Sequence, residues 1–166
     1  MRHDMKKKKI LFITRAAVTA AVYIVLTLLS GAFGLSGGIV QVRLSEALTV
    51  LPYFTASAIP GLFVGCLVGN MLTGCLPWDI VFGSAATLIG AVGTYLLRRF
   101  KWAAPLPPII ANTLIIPFVL RLVYNVEGSV PFFMVTVGAG EIISCGICGM
   151  LLLMALGRYR NVMFKD

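Results

Sequence analysis

Five stretches of the chain run without a charge, over residues 16–42, 47–78, 80–97, 102–120 and 128–157, the last broken only by Glu141. A membrane-crossing helix needs roughly 20 apolar residues, so each of these predicts at least one span. The 47–78 stretch is too long for one crossing and too short for two full ones, and Pro52 and Pro60-Gly61 divide it. Six spans are therefore expected. The first runs outward from about Leu11 to Ser30, the second, short one inward from about Val42 to Phe54, and the third outward from about Ile59 to Leu76. The fourth returns inward as far as Arg98-Arg99-Phe100-Lys101, the fifth runs outward to about Leu122 from an opening at Pro105, Pro107 and Pro108, and the sixth comes back to Gly157.

Composition supports a membrane protein and no other class. Hydrophobic residues make up 59% of 166 positions, charged residues 12%, and the mean hydropathy is +0.97, which leaves too little polar surface to cover a soluble globule. The first apolar stretch is a full span with small packing residues inside it, and it reads as a retained helix rather than a cleaved signal. The fold class expected is thus an all-α integral membrane protein of six transmembrane helices.

The net charge of +8 does not point to nucleic acid, because the basic residues cap apolar segments instead of forming an aromatic-bearing face. Lys6-Lys7-Lys8-Lys9 with Arg2 and Arg15, then Arg98-Arg99-Phe100-Lys101, then Gly157-Arg158-Tyr159-Arg160 fall on one side of a six-span arrangement. Only Arg43 and Arg121 of the 14 Lys and Arg residues lie on the other side. This is the positive-inside pattern, and it places the N-terminus and C-terminus in the cytoplasm. The expected organisation is a basic tail over 1–10, a transmembrane domain over 11–157 and a second cytoplasmic tail over 158–166.

Charged groups at membrane depth cost a few kcal/mol on insertion scales and are kept where they serve. Glu141 is the first candidate: it lies near the midplane if its helix begins at Pro131, and in the outer third if the helix begins later. Arg43 and Glu46 lie at the mouth of the second span, at a spacing that allows an ion pair, so Glu46 either meets a ligand or only neutralises Arg43. Asn70 and Asn112 offer amides that can read a polar edge or bridge helices. Trp78 and Asp79 occupy an outer turn, and Tyr124, Asn125 and Glu127 the last outer loop. Residues 31–41, rich in glycine, form an outer loop long enough to act as a lid.

Small residues recur at four-residue intervals in two places. Ala16 with Ala20 and Ala17 with Ala21 mark the first span, and Gly61, Gly65 and Gly69 the third, patterns that let helices approach closely. Cys145-x-x-Cys148 lies in an apolar helix without a second ligand pair or a nearby His, and reads as packing, with no metal expected. No phosphate-binding loop is present, so the chain is not itself an ATPase. The sole histidine is His3, and no nucleophile has a base arranged beside it. No enzyme activity and no cofactor are expected.

Three segments together carry a resemblance: Ala16-x-x-x-Ala20, Val42-Arg43-Leu44-Ser45-Glu46-Ala47-Leu48-Thr49-Val50-Leu51-Pro52, and Ala58-Ile59-Pro60-Gly61-Leu62-Phe63-Val64-Gly65-Cys66. The chain closely resembles the QueT family of substrate-binding S components of energy-coupling factor (ECF) transporters. The likeness continues through Asp79-Ile80-Val81-Phe82-Gly83-Ser84 and resumes at Gly140-Glu141. It implies an ABC-type importer subunit that captures a queuosine precursor, a small deazapurine, from outside. It also implies partners in the lipid bilayer and cytoplasm, namely a transmembrane coupling subunit docking on Ala16, Ala17, Ala20 and Ala21, and two cytoplasmic ATPases. Substrate contacts are expected from Glu141, Glu46, Asn70, Asn112, Trp78, Asp79, Arg43 and Asn125. The alternatives are an S component for another vitamin or solute, an autonomous small secondary transporter with Glu141 as its cation site, and a membrane scaffold whose polar residues only join helices.

Overall fold

The computed structural model describes residues 2–35 and 40–159, and every regular element among them is helical. Helix α1 spans Arg2–Ala32, α2 Ala58–Leu72, α3 Pro77–Leu96 and α4 Leu106–Leu122. The last helix is continuous but changes winding: α5 (Val130–Glu141) passes into a π-helical stretch (Ile142–Cys148) and then α6 (Gly149–Gly157). Four stretches, Met5–Ala32, Pro77–Leu96, Lys101–Leu122 and Val130–Gly157, are long and apolar enough to cross a membrane, and Ala58–Leu72 is a shorter apolar helix.

The expected second span is built differently from the others. Leu44–Tyr53 winds as a 3-10 helix of ten residues with Pro52 inside it. At about 2.0 Å rise per residue it reaches roughly 20 Å, where an α-helix of that length would reach about 15 Å. A short segment therefore runs from the carboxylate region described below to the opposite end of the bundle. Arg43 precedes it in an extended conformation (φ −107°, ψ 109°).

Small residues decide how closely the helices pack. Gly61, Gly65 and Gly69 of α2 face α1, where a Cβ on Gly61 would lie 2.9 Å from Thr19 Cβ, one on Gly65 2.8 Å from Tyr23 Cβ, and one on Gly69 3.3 Å from Thr27 Oγ1. Between α3 and α4, Gly90 and Gly93 receive Pro108 and Pro107. The core at the α1–α2 contact holds Tyr23, Leu62, Cys66 and Ala58, with Leu48 of the 3-10 helix and Ala91 of α3. Gly65→Ala is accordingly expected to lower stability by about 1–2 kcal/mol. Gly31→Ala, where no atom lies within 4 Å of the added carbon, should not lower the thermal unfolding midpoint in detergent, and at the end of α1 it gains a part of the helix propensity that glycine lacks.

Within the expected 31–41 lid, residues 36–39 lie outside the described residues. Gly31 and Ala32 complete α1, and Val42 N donates to Leu35 O at 3.0 Å. Helix α1 extends through the lysine run to Arg2. Of the expected C-terminal tail, residues 160–166 are not described.

Candidate functional site

Glu141 ends α5, eleven residues beyond Val130. The helix begins at once after the preceding loop, with Ser129 Oγ accepting from Phe132 N, so Glu141 lies about 16 Å along it. That is the earlier of the two helix starts open to it from sequence. Glu141 is 9% exposed and Glu46 2%, and both line a small inner cavity of about 30 Å³ with Gln41, Arg43, Asn112 and Cys66. A space of that size accommodates about one water molecule.

The two carboxylates are held in different ways. Glu46 accepts a hydrogen bond from the Tyr23 hydroxyl on one oxygen, and Asn112 Nδ2 donates to the other at 3.4 Å. Its backbone carbonyl accepts from Thr49 Oγ1 at 2.6 Å and lies 3.3 Å from Cys145 Sγ. Glu141 Oε2 accepts from Cys145 Sγ at 3.1 Å, with Asn112 also beside the carboxylate. The π-helical turn brings both Ser144 and Cys145 to this region. Ser144 Oγ accepts from Arg43 N at 3.2 Å, which ties the start of the 3-10 helix to the last helix.

Arg43 and Glu46 share the cavity wall but form no direct ion pair among the described residues. The helical spacing that suggested a pair does not apply, because Arg43 is extended and stands outside the helical winding that begins at Leu44. The Arg43 guanidinium instead donates to Asn70 Oδ1 at 3.3 Å, and Asn70 Nδ2 turns to Cys66 Sγ at 3.6 Å.

Above the inner cavity lies a vestibule of about 490 Å³ with Asn70, Asp79 and Tyr124 in its wall. Gln41, Arg43 and Ile116 line both spaces and form the neck between them. Tyr124 closes one side: its hydroxyl donates to Asp79 Oδ2 at 2.8 Å and accepts from Leu76 N at 3.2 Å. Partial burial and the adjacent Asp79 carboxylate hold this hydroxyl above the ordinary tyrosine range, so it remains a donor at neutral pH.

Six of the eight candidate ligand residues, Glu141, Glu46, Asn112, Arg43, Asn70 and Asp79, meet at these two connected spaces. Trp78 and Asn125 do not. Trp78 is 62% exposed and stacks on Phe82, four residues on, with ring centroids 6.0 Å apart. Adjacent residues of a helix point in different directions, so Asp79 turns inward while Trp78 faces out. Asn125 is exposed at a turn with φ 50°. Among the four alanines expected to dock a partner, Ala20 is buried against α2 and Ala16 half-buried, while Ala17 and Ala21 are exposed.

Sequence reasoning missed Tyr23, Cys66, Cys145 and Gln41. A signal for Cys145 was its place four residues after Glu141, one turn along the same helical face. Ligating atoms of Glu46, Glu141 and Cys145 lie within 4.8 Å of one another, a spacing that can hold a metal ion. The Arg43 guanidinium on the same cavity works against a divalent ion there, and the set suits a ligand presenting several N–H donors.

Comparison with known proteins agrees with the resemblance seen in sequence. A curated relative, the "Queuosine precursor transporter QueT" of Lactococcus lactis subsp. cremoris (strain MG1363), is 35% identical over 99 residues, which cover 58% of this chain and 57% of the relative. The aligned region thus spans little more than half the length of that relative. No solved structure matches. The sequence model of the QueT transporter family matches residues 13–158, which takes in α1 from its fourth turn and every residue lining the two cavities, and the chain belongs to that transporter family.

Proposed function

We propose that this chain is the substrate-capture subunit of an ECF importer, with six membrane spans and both termini cytoplasmic, and that it binds a queuosine precursor of the deazaguanine class such as the aminomethyl form. The observation that carries this reading is the pair of buried carboxylates, Glu46 and Glu141, flanking Asn112 at the base of a 490 Å³ vestibule. A guanine-like edge presents adjacent N–H donors that a carboxylate accepts in pairs, and the aminomethyl arm is a cation suited to an acidic site. The inner space of about 30 Å³ is too small for the bicyclic ring. The ring therefore occupies the vestibule, and its donor edge reaches Glu141 once the neck at Gln41, Arg43 and Ile116 opens.

In this reading a transmembrane coupling subunit docks on the lipid-facing side of α1, where Ala17 and Ala21 are exposed, and two cytoplasmic ATPases drive release. Ala16 and Ala20 contribute through their packing on α2. The test uses the purified full-length chain and isothermal titration with aminomethyl deazaguanine, guanine and thiamin as probes. Binding of the first in preference to the other two, without ATP, is expected. No binding of the deazaguanine would overturn the ligand assignment, and uptake into vesicles lacking the coupling and ATPase subunits would assign the chain to secondary transport instead.

A further inference from the structure

At the opposite end of the bundle, one face of α1 carries Lys8, Leu11, Phe12 and Arg15, the i, i+3, i+4, i+7 spacing of a single helical stripe. This stripe faces the turn at Thr55 and Ser57 across a cavity of about 270 Å³. The two cations lie about 10 Å apart along the helix. The Thr55 and Ser57 hydroxyls are 2.8 Å apart, and either can be the donor. Whichever gives its proton to the other, the second O–H is left to donate to another acceptor. The turn also leads into the N-terminus of α2, a 15-residue helix; its first two N–H groups already donate to Thr55 O and Ala56 O and Pro60 has none, so only the helix dipole favours an anion there.

A second cavity of about 280 Å³ continues from the first, and Arg15 and Thr55 belong to both. Beyond those two and the threonines Thr14 and Thr19 its walls are aliphatic: Val18 and Val22 of α1, Leu48 and Leu51 of the 3-10 helix, and Leu152 and Leu156 of α6. Val18 is 58% exposed and Val22 43%, so the groove opens sideways from the bundle. A basic, hydroxyl-lined pocket thus passes directly into an apolar channel at the level where the lysine run gives way to the apolar part of α1.

We propose that this is a binding site for one anionic phospholipid, its phosphate held by Lys8, Arg15 and the Thr55–Ser57 turn and an acyl chain lying between α1 and α6. Charge complementarity selects the head group, and the boundary between polar and apolar lining matches the boundary within a lipid. Basic pockets between helices at a membrane surface hold such head groups in general. The site does not depend on the ligand reading at the carboxylates, from which it is separated by the length of the 3-10 helix.

The test reconstitutes delipidated full-length protein in vesicles of phosphatidylcholine mixed with phosphatidylglycerol, and native mass spectrometry reads which lipid stays bound. Retention of phosphatidylglycerol over phosphatidylcholine is expected. The Lys8→Ala/Arg15→Ala double variant should lose that preference roughly thirtyfold at low salt, and Lys8→Arg/Arg15→Lys should keep it. Val22→Trp, which fills the groove and leaves both cations, should also reduce retention. Equal retention of the two lipids, or an undiminished preference in the folded double variant, would overturn the proposal. So would displacement of the lipid by inorganic phosphate alone, which would mark a free-anion site, or a dimer forming over the groove as lipid is removed.

Discussion

Glu141→Gln is expected to weaken binding of aminomethyl deazaguanine at least thirtyfold while the protein is produced and unfolds at nearly the wild-type temperature. The carboxamide has almost the same shape, so the cavity stays packed. It loses the charge and one of two acceptors, and it turns an N–H₂ toward the donors of the ligand. Leaving a buried donor unmatched costs about 2 kcal/mol or more, which is the thirtyfold. Glu46→Gln should divide its effect the other way. Both Glu46 oxygens are taken by protein donors, Tyr23 and Asn112, so the amide forfeits a charge-assisted hydrogen bond inside the fold, about 1.5–3 kcal/mol of stability. Its effect on affinity should be the smaller of the two. Titration and thermal unfolding of both variants make the comparison, and unchanged affinity in Glu141→Gln would remove Glu141 from the ligand contacts.

That contrast was only partly legible in the sequence. Isolated ionisable or amide-bearing residues in apolar runs announce themselves by their cost, so Glu141, Glu46, Arg43, Asp79, Asn70 and Asn112 could be singled out, and the fold gathers them around one pair of cavities. The glycine stripe of α2 and the small residues of α1 were legible as close-packing residues, and Ala16 and Ala20 meet Gly61 and Gly65. Partner choice within the site was not legible. In a helix that is apolar all round, periodicity no longer says which face is inward, and it gives no sign that Leu44–Tyr53 winds as a 3-10 helix or that Ile142–Cys148 widens into a π-helix. The extended Arg43 ahead of the first is directed to Asn70, and Ser144 within the second meets the Arg43 N–H. Tyr23 was hidden for a related reason, since one hydroxyl in a long apolar span has no local pattern to mark it.

Gly140→Ala is expected to be the most damaging single-methyl change near the site, at the upper end of about 1–3 kcal/mol for overpacking, with loss of ligand binding. The added carbon would overlap the Gln41 carbonyl oxygen and sit 3.0 Å from its carbon. That obstacle is backbone, which cannot rotate away as a side chain does. Relief requires the Gln41–Arg43 segment to lift from α5, and three features go with it: the Arg43 N to Ser144 Oγ bond, the Arg43 guanidinium on Asn70, and the Gln41 wall shared by the two cavities. Gly138→Ala, two residues earlier in the same helix, provides the comparison. There the new methyl would meet Thr113 at 3.4–3.5 Å, ordinary contact, and the gain in helix propensity over glycine is up to about 1 kcal/mol. The expected pattern is therefore opposite signs in thermal unfolding from two neighbouring glycines, with binding lost only at position 140. Wild-type affinity in Gly140→Ala would show that the close approach of Gln41 to the last helix does not position the site, and the neck would then have to be held by the Arg43–Asn70 bond.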